Sequence, residues 1–289
     1  MKEHRLFGFA IIAIIYVLAI LVGLFVYAFF IGSVSLYGSI FLADVAATLF
    51  VYIAGVFVKN TSVYDPYWSV QPLVIVLFVW TIFERWDIGV ILLLVALFYW
   101  GIRLTANWAY TFDSLTNQDW RYDMLKAKTK QFYPIVSLLG INMMPTVIVF
   151  LCVWPAMIFL EKGGWNAITV IGFLMSITAA TLQLISDIQM QRYRKSNHDR
   201  SEIINVGLWK YSRHPNYLGE ILMWWGVYVM MLSIYPEGWY YGIGALINTF
   251  MFFFISIPMA EKRLATYKTN FDGYKKQTRM LLPFPKSNR

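Results

Sequence analysis

The chain has 289 residues, of which 59% are hydrophobic, 18% aromatic and only 14% charged. Soluble domains carry about 25% charged residues, so this composition excludes a soluble globular enzyme and a disordered tail protein. The single cysteine, Cys152, excludes a disulfide scaffold and a thiolate metal cluster, and the net charge of +8 is read as membrane topology rather than as a nucleic-acid surface.

A helix needs about 20 apolar residues to cross about 30 Å of hydrocarbon. In chain order, such runs fall at 7–31, 37–58, 69–83, 88–108, 134–160, 166–190, 217–235 and 240–259. The first is too long for a signal-peptide core and lacks a small-residue cleavage site, so it is read as a retained helix. The third is short and contains Pro72, which leaves a re-entrant or tilted segment open. The expected fold is an all-α polytopic transmembrane helix bundle of seven to eight spans. Eight crossings place 21 of the 24 Lys and Arg residues on one side and two, Arg85 and Lys162, on the other, with Arg103 inside the fourth span. The positive-inside rule then predicts cytoplasmic N- and C-termini. That count favours a full third crossing, since omitting it would break the alternation.

The connections 109–133 and 191–216 and the tail after 259 are the long basic segments. The sequence contains no solenoid repeat and no GxGxxG or GxxxxGK[ST] phosphate loop. Chemistry is therefore expected at the cytoplasmic mouth of the helices, within one membrane domain.

Ionisable residues inside spans cost about 2.5–3.5 kcal/mol on insertion scales and usually face the protein interior. Asp44, Arg103, Asp187 and Glu220 are the four here. Asp44 is read first as an interhelical hydrogen-bonding group. Gln183, Asp187, Gln191 and Arg194, at steps of four, four and three, share one helix face. This stripe suits a polar ligand entering from the basic side, with an interhelical hydrogen-bond seam as the structural alternative. The densest constellation is Gly207-Leu208-Trp209-Lys210-Tyr211-Ser212-Arg213-His214-Pro215-Asn216-Tyr217-Leu218-Gly219-Glu220. Pro215 suits the first turn of a helix. Arg213 and His214 then lie beside its free N–H groups, a favourable place for phosphate or carboxylate. Arg213, Asn216 and Glu220 fall on one face.

GLWKYSRHPNYLGE resembles the signature shared by steroid 5-alpha-reductase-like membrane proteins, sterol C14 and C7 reductases and isoprenylcysteine carboxyl methyltransferases. Four more segments are similar to the bacterial steroid 5-alpha-reductase-like branch. They are Ser62-Val63-Tyr64-Asp65-Pro66-Tyr67-Trp68, Trp100-Gly101-Ile102-Arg103-Leu104, Gln118-Asp119-Trp120-Arg121-Tyr122, and the tail Tyr267…Phe271…Tyr274…Pro283-Phe284. The resemblance covers residues 60–289, and it implies a lipid-substrate cavity among the helices of 1–133 and a cofactor site in 134–289. It implies an NADPH-dependent reductase of an activated carbon–carbon double bond in a lipid-like substrate, located in the bacterial inner membrane. It also implies cofactor contacts from Arg103, Asp187, Arg194, Asn216, Glu220 and Tyr267; Arg103, Arg194, Arg213 and Arg263 are forks that suit phosphates, and His214 lies beside them. No metal is implied.

The chain departs from the eukaryotic steroid reductases in lacking their Gln-Glu pair, and Trp100, with Tyr99 beside it, stands where they carry a tyrosine. Asp65 with Tyr64 or Tyr67 is the substitute catalytic group, with Asp65 as acid or as orienter of a tyrosine hydroxyl; Asp65 as a helix N-cap is the structural alternative. Two rival functions remain. One is an S-adenosylmethionine-dependent methyltransferase, disfavoured by Ala260-Glu261-Lys262 where those enzymes carry paired glutamates; the other is a non-enzymatic lipid-binding membrane protein.

Overall fold

The computed structural model describes residues 2–196 and 199–283; Phe284 of the tail motif and the basic residues Lys286 and Arg289 lie outside the described residues. The chain is all-α, 82% helical, with no strand among the described residues. Its helices are α1 (Lys2–Phe30), α2 (Leu36–Phe57), α3 (Tyr67–Phe83), α4 (Ile88–Thr111), α5 (Trp120–Thr129), α6 (Tyr133–Val136), α7 (Met144–Lys162), α8 (Ala167–Lys195), α9 (Pro215–Ile234), α10 (Ile243–Met251), α11 (Ile257–Tyr267) and α12 (Phe271–Gln277).

Eight helical runs among the described residues are long and apolar enough to cross a membrane, one for each expected span. The third is longer than its apolar run suggests. A 3-10 turn at Thr61–Tyr64 leads into α3, giving a run of 23 residues from Thr61 to Phe83. Pro72 sits inside α3 without ending it, as membrane helices allow when neighbouring groups satisfy the freed carbonyl. The fifth run is also longer, from Trp120 to Lys162. Its first part, α5, lies in the connection expected between spans; Asp119 caps it by accepting from the Arg121 N–H, and Lys130 ends it at φ 50°. A π-helical segment, Ser137–Met143, separates α6 from α7, and a second, Phe252–Ser256, separates α10 from α11.

The chain forms two compact units, one of residues 1–78 and 104–150, the other of residues 79–103 and 151–289. In the first unit α1 packs along α2, and Ile12, Ile15, Tyr16, Ala47 and Val51 meet Val63, Tyr64 and Tyr67 in a buried cluster. In the second unit α8 and α9 pack most closely. A Cβ on Gly226 of α9 would stand 2.8 Å from the Gly172 carbonyl oxygen of α8, and one on Gly219 would stand 2.6 Å from that of Ala179. Small residues let membrane helices approach in this way. Here the approach brings Gln183 of α8 to Glu220 of α9. Asn166 caps α8 reciprocally with Thr169, and Pro215 opens α9 at its first position.

Candidate functional site

In the second unit Glu220 is buried, 6% exposed, one turn into α9. Its Oε2 accepts from Trp100 Nε1 at 2.9 Å and from Gln183 Nε2 at 3.0 Å, and its Oε1 accepts from Trp224 Nε1 at 2.9 Å. The two indoles meet edge to face, with centroids 4.9 Å apart. The sequence placed Asn216 and Arg213 as the nearest polar company of Glu220; the structure supplies two tryptophans and a glutamine instead. Trp224 lies four residues along the same helix, so that partner was legible from spacing alone. Asn216 is half-buried in the first turn of α9.

Arg103 near the middle of α4 is 6% exposed and donates from Nη1 to Asp187 Oδ2 of α8 at 3.0 Å. Its Nε and Nη2 are buried without a hydrogen-bond partner. The polar stripe of α8 therefore divides by depth. Gln183 serves Glu220, Asp187 serves Arg103, and Arg194 is exposed in the last turn.

Arg213 and His214, expected at a phosphate, converge on Glu261 of α11. Arg213 Nε donates to Glu261 Oε1 at 2.8 Å, His214 Nε2 lies 3.2 Å from the same oxygen, and Lys275 Nζ lies 3.1 Å from Oε2. Arg213 Nη1 also donates to the Thr278 carbonyl, and the Arg213 N–H donates to the Arg279 carbonyl at 2.9 Å. Tyr274 of α12 donates its hydroxyl to the Trp209 carbonyl, and burial holds its phenol above the usual tyrosine range. Trp209 in turn donates to the Ser186 carbonyl at 3.0 Å. The tail thus clasps the segment before α9. Arg263 is half-buried on α11, and Tyr267 is 44% exposed at its end, where Lys268 lies over the ring.

In the first unit the two motif segments around residues 60–68 and 118–122 hold each other. Gln118 Oε1 accepts from the Thr61 N–H at 2.9 Å, the Asp119 N–H donates to Ser62 Oγ at 2.9 Å, and the Tyr122 hydroxyl donates to Asp65 Oδ1. Asp65 thus accepts from a tyrosine rather than from the first turn of α3, and the tyrosine is Tyr122, not Tyr64 or Tyr67. Tyr64 shares a hydrogen bond with Thr146 at 2.7 Å, and Thr146 with Thr48 at 3.1 Å. Tyr67 packs edge-on against Tyr16, with centroids 5.4 Å apart. The expected polarising position behaves differently: Tyr99 shares a hydrogen bond with Thr181 at 3.2 Å, and Trp100 is committed to Glu220.

No solved structure matches the chain. A segment of 114 residues is 29% identical to 3-oxo-5-alpha-steroid 4-dehydrogenase 1 of Homo sapiens, covering 39% of this chain and 40% of that relative. The match thus spans well under half the length of the relative. The pattern of the family described as "Protein of unknown function (DUF1295)" covers residues 51–278, which take in the Asp65–Tyr122 pair, Arg103–Asp187, Glu220 and the Arg213–Glu261 clasp. The chain therefore belongs to DUF1295, a steroid 5-alpha-reductase-like family of integral membrane proteins.

Proposed function

We propose that the chain is an NADPH-dependent reductase of an activated carbon–carbon double bond in a steroid-like or other lipid. It works at the cytoplasmic face of a bacterial inner membrane, with both termini on that face. The lipid belongs to the N-terminal helices, residues 1–133, and the cofactor mainly to residues 134–289, with Arg103 as a contribution from α4. The likeness to a named steroid dehydrogenase supports the reaction class. The observation that carries the reading is Arg103, a buried guanidinium with one N–H on Asp187 and two nitrogens unused. A buried donor left unpaired costs about 1–3 kcal/mol, and a planar fork matches phosphate oxygens in pairs.

Bound NADPH supplies the hydride, and the protein supplies orientation, electrostatics and exclusion of water. Asp187 fixes the plane of the Arg103 fork so that its free edge holds a phosphate. Arg194 and Arg263 add positive charge, while Asn216 and Tyr267 offer amide and hydroxyl groups to ribose or nicotinamide. Glu220 is already filled by three donors, so it positions Trp100 and Gln183. Arg213 and His214 hold the tail in place. Reduction of a double bond also needs a proton, and the Asp65–Tyr122 pair is the group that holds and moves one, with Tyr64 and Tyr67 shaping its surroundings.

One observation favours a second reading, an S-adenosylmethionine-dependent methyltransferase. Arg213 and His214, both expected to meet phosphates, are engaged by Glu261, which leaves a mouth with fewer free groups for a polyanion. Thermal unfolding of the purified protein in nanodiscs separates the readings. NADPH should raise the melting temperature more than NADH, and Arg103→Ala should abolish the rise. A rise with S-adenosylmethionine and none with NADPH replaces the reductase by the methyltransferase. No rise with any of the three leaves a non-enzymatic lipid-binding protein.

A further inference from the structure

Between α1, α2 and α3 of the first unit lies a cavity of about 250 Å³. Small residues make room for it: Ala19 and Gly23 of α1 face Ala43 and Ala47 of α2. The volume sits just below the range of small-molecule pockets, about 300–1,000 Å³, so it suits one compact body rather than a two-chain phospholipid. Its lining is apolar apart from Asp44, Gln71 and three tyrosines. Of these, Tyr16 donates its hydroxyl to the Val63 carbonyl at 2.6 Å, and the Tyr67 hydroxyl lies beside Thr48.

Asp44 and Gln71 are different. Asp44 is 4% exposed, and neither carboxyl oxygen has a hydrogen-bond partner. Gln71 is 6% exposed, and its Nε2 approaches the Asp44 carboxyl without closing a hydrogen bond. An unused acceptor and an unused donor thus stand side by side at the wall of an apolar cavity. A ketone would only accept, leaving an Asp44 oxygen without a donor; an ammonium would only donate, leaving Gln71 unmet. A hydroxyl does both, donating to Asp44 and accepting from Gln71.

We propose that Asp44 and Gln71 together bind the hydroxyl group of a compact apolar alcohol lodged in this cavity. The proposal narrows the lipid of the reductase reading to a hydroxylated one, and it rests on that reading only in naming the alcohol a substrate. The test is uptake of cyclododecanol, cyclododecanone and cyclododecane, which share one ring, by nanodiscs with and without the protein. The native chain should take up at least about tenfold more alcohol than ketone or hydrocarbon once uptake by empty nanodiscs is subtracted. Asp44→Leu should bring alcohol and ketone to equal uptake, both above the hydrocarbon because Gln71 still donates to either oxygen, and Gln71→Leu should lower the alcohol preference while keeping it above the hydrocarbon. If Asp44→Leu fails to fold, Asp44→Ala removes the same carboxyl with less bulk and should likewise bring alcohol and ketone to equal uptake. Equal uptake of all three by the native chain overturns the proposal, as does a preference for alcohol over ketone that survives in Asp44→Leu or Asp44→Ala. The NADPH melting shift, read on the same preparation without alcohol, reports separately on the reductase reading.

Discussion

Glu220 of α9 and Asp44 of α2 are buried to the same degree, 6% and 4% exposed, yet their surroundings are opposite. Glu220 meets three donors from three positions of its unit, Trp100, Gln183 and Trp224. Asp44 meets none and faces a cavity. A buried polar group that is fully satisfied can serve as a structural hub, whereas one without a partner costs free energy that a ligand can recover. Depth in an apolar helix therefore does not distinguish a framework carboxyl from a ligand-binding one. The number of donors already aimed at it does.

Substitutions with opposite expected signs probe that contrast. Glu220→Leu leaves two indole N–H groups and the Gln183 amide without an acceptor, and should destabilise the protein by about 3–5 kcal/mol, the cost of orphaning buried polar partners. Reversible unfolding in detergent measures this, and a loss below 1 kcal/mol would remove Glu220 as a hub. Arg213→Ala opens the clasp on Glu261 and Thr278. It should cost about 2 kcal/mol and speed protease cleavage in residues 268–279. Asp44→Leu removes an unpaired carboxyl from an apolar wall and should stabilise the ligand-free protein by about 1–2 kcal/mol; a loss of similar size would mean that Asp44 has a structural partner. The smallest change is Tyr122→Phe, which removes the donor to Asp65 and should cost about 1 kcal/mol in unfolding. Under the reductase reading, Asp65→Asn then abolishes turnover while the NADPH melting shift persists.

Hydropathy was enough for the eight runs, because a membrane helix carries its signal in consecutive residues. Even the third run is present, since Pro72 interrupts an N–H and not the apolar surface. Contacts between distant segments were not legible. Tyr122 lies 57 residues from Asp65, and both belong to motif segments, but nothing in their spacing pairs them. Glu261 was read only as the absence of a glutamate pair, although it is the acid that holds Arg213 and His214. Gln71 carries no signal of its own beside Pro72, and its role depends on α1 and α2 leaving a space, which small residues such as Gly23 and Ala43 do not announce on their own.

The clasp on Arg213 also bears on the order in which the protein is completed. The start of α9 is held by the Thr278 carbonyl, 65 residues further along the chain. At synthesis rates of about 5–20 residues per second, the segment Gly207–His214 waits about 3–13 s for that partner. During this interval Arg213 stands without Glu261 and Thr278 at the head of an apolar helix. Insertion of α9 therefore precedes the locking of its mouth, and a ribosome that stalls near Lys268 leaves a chain whose eight apolar runs are all made but whose segment before α9 is still open.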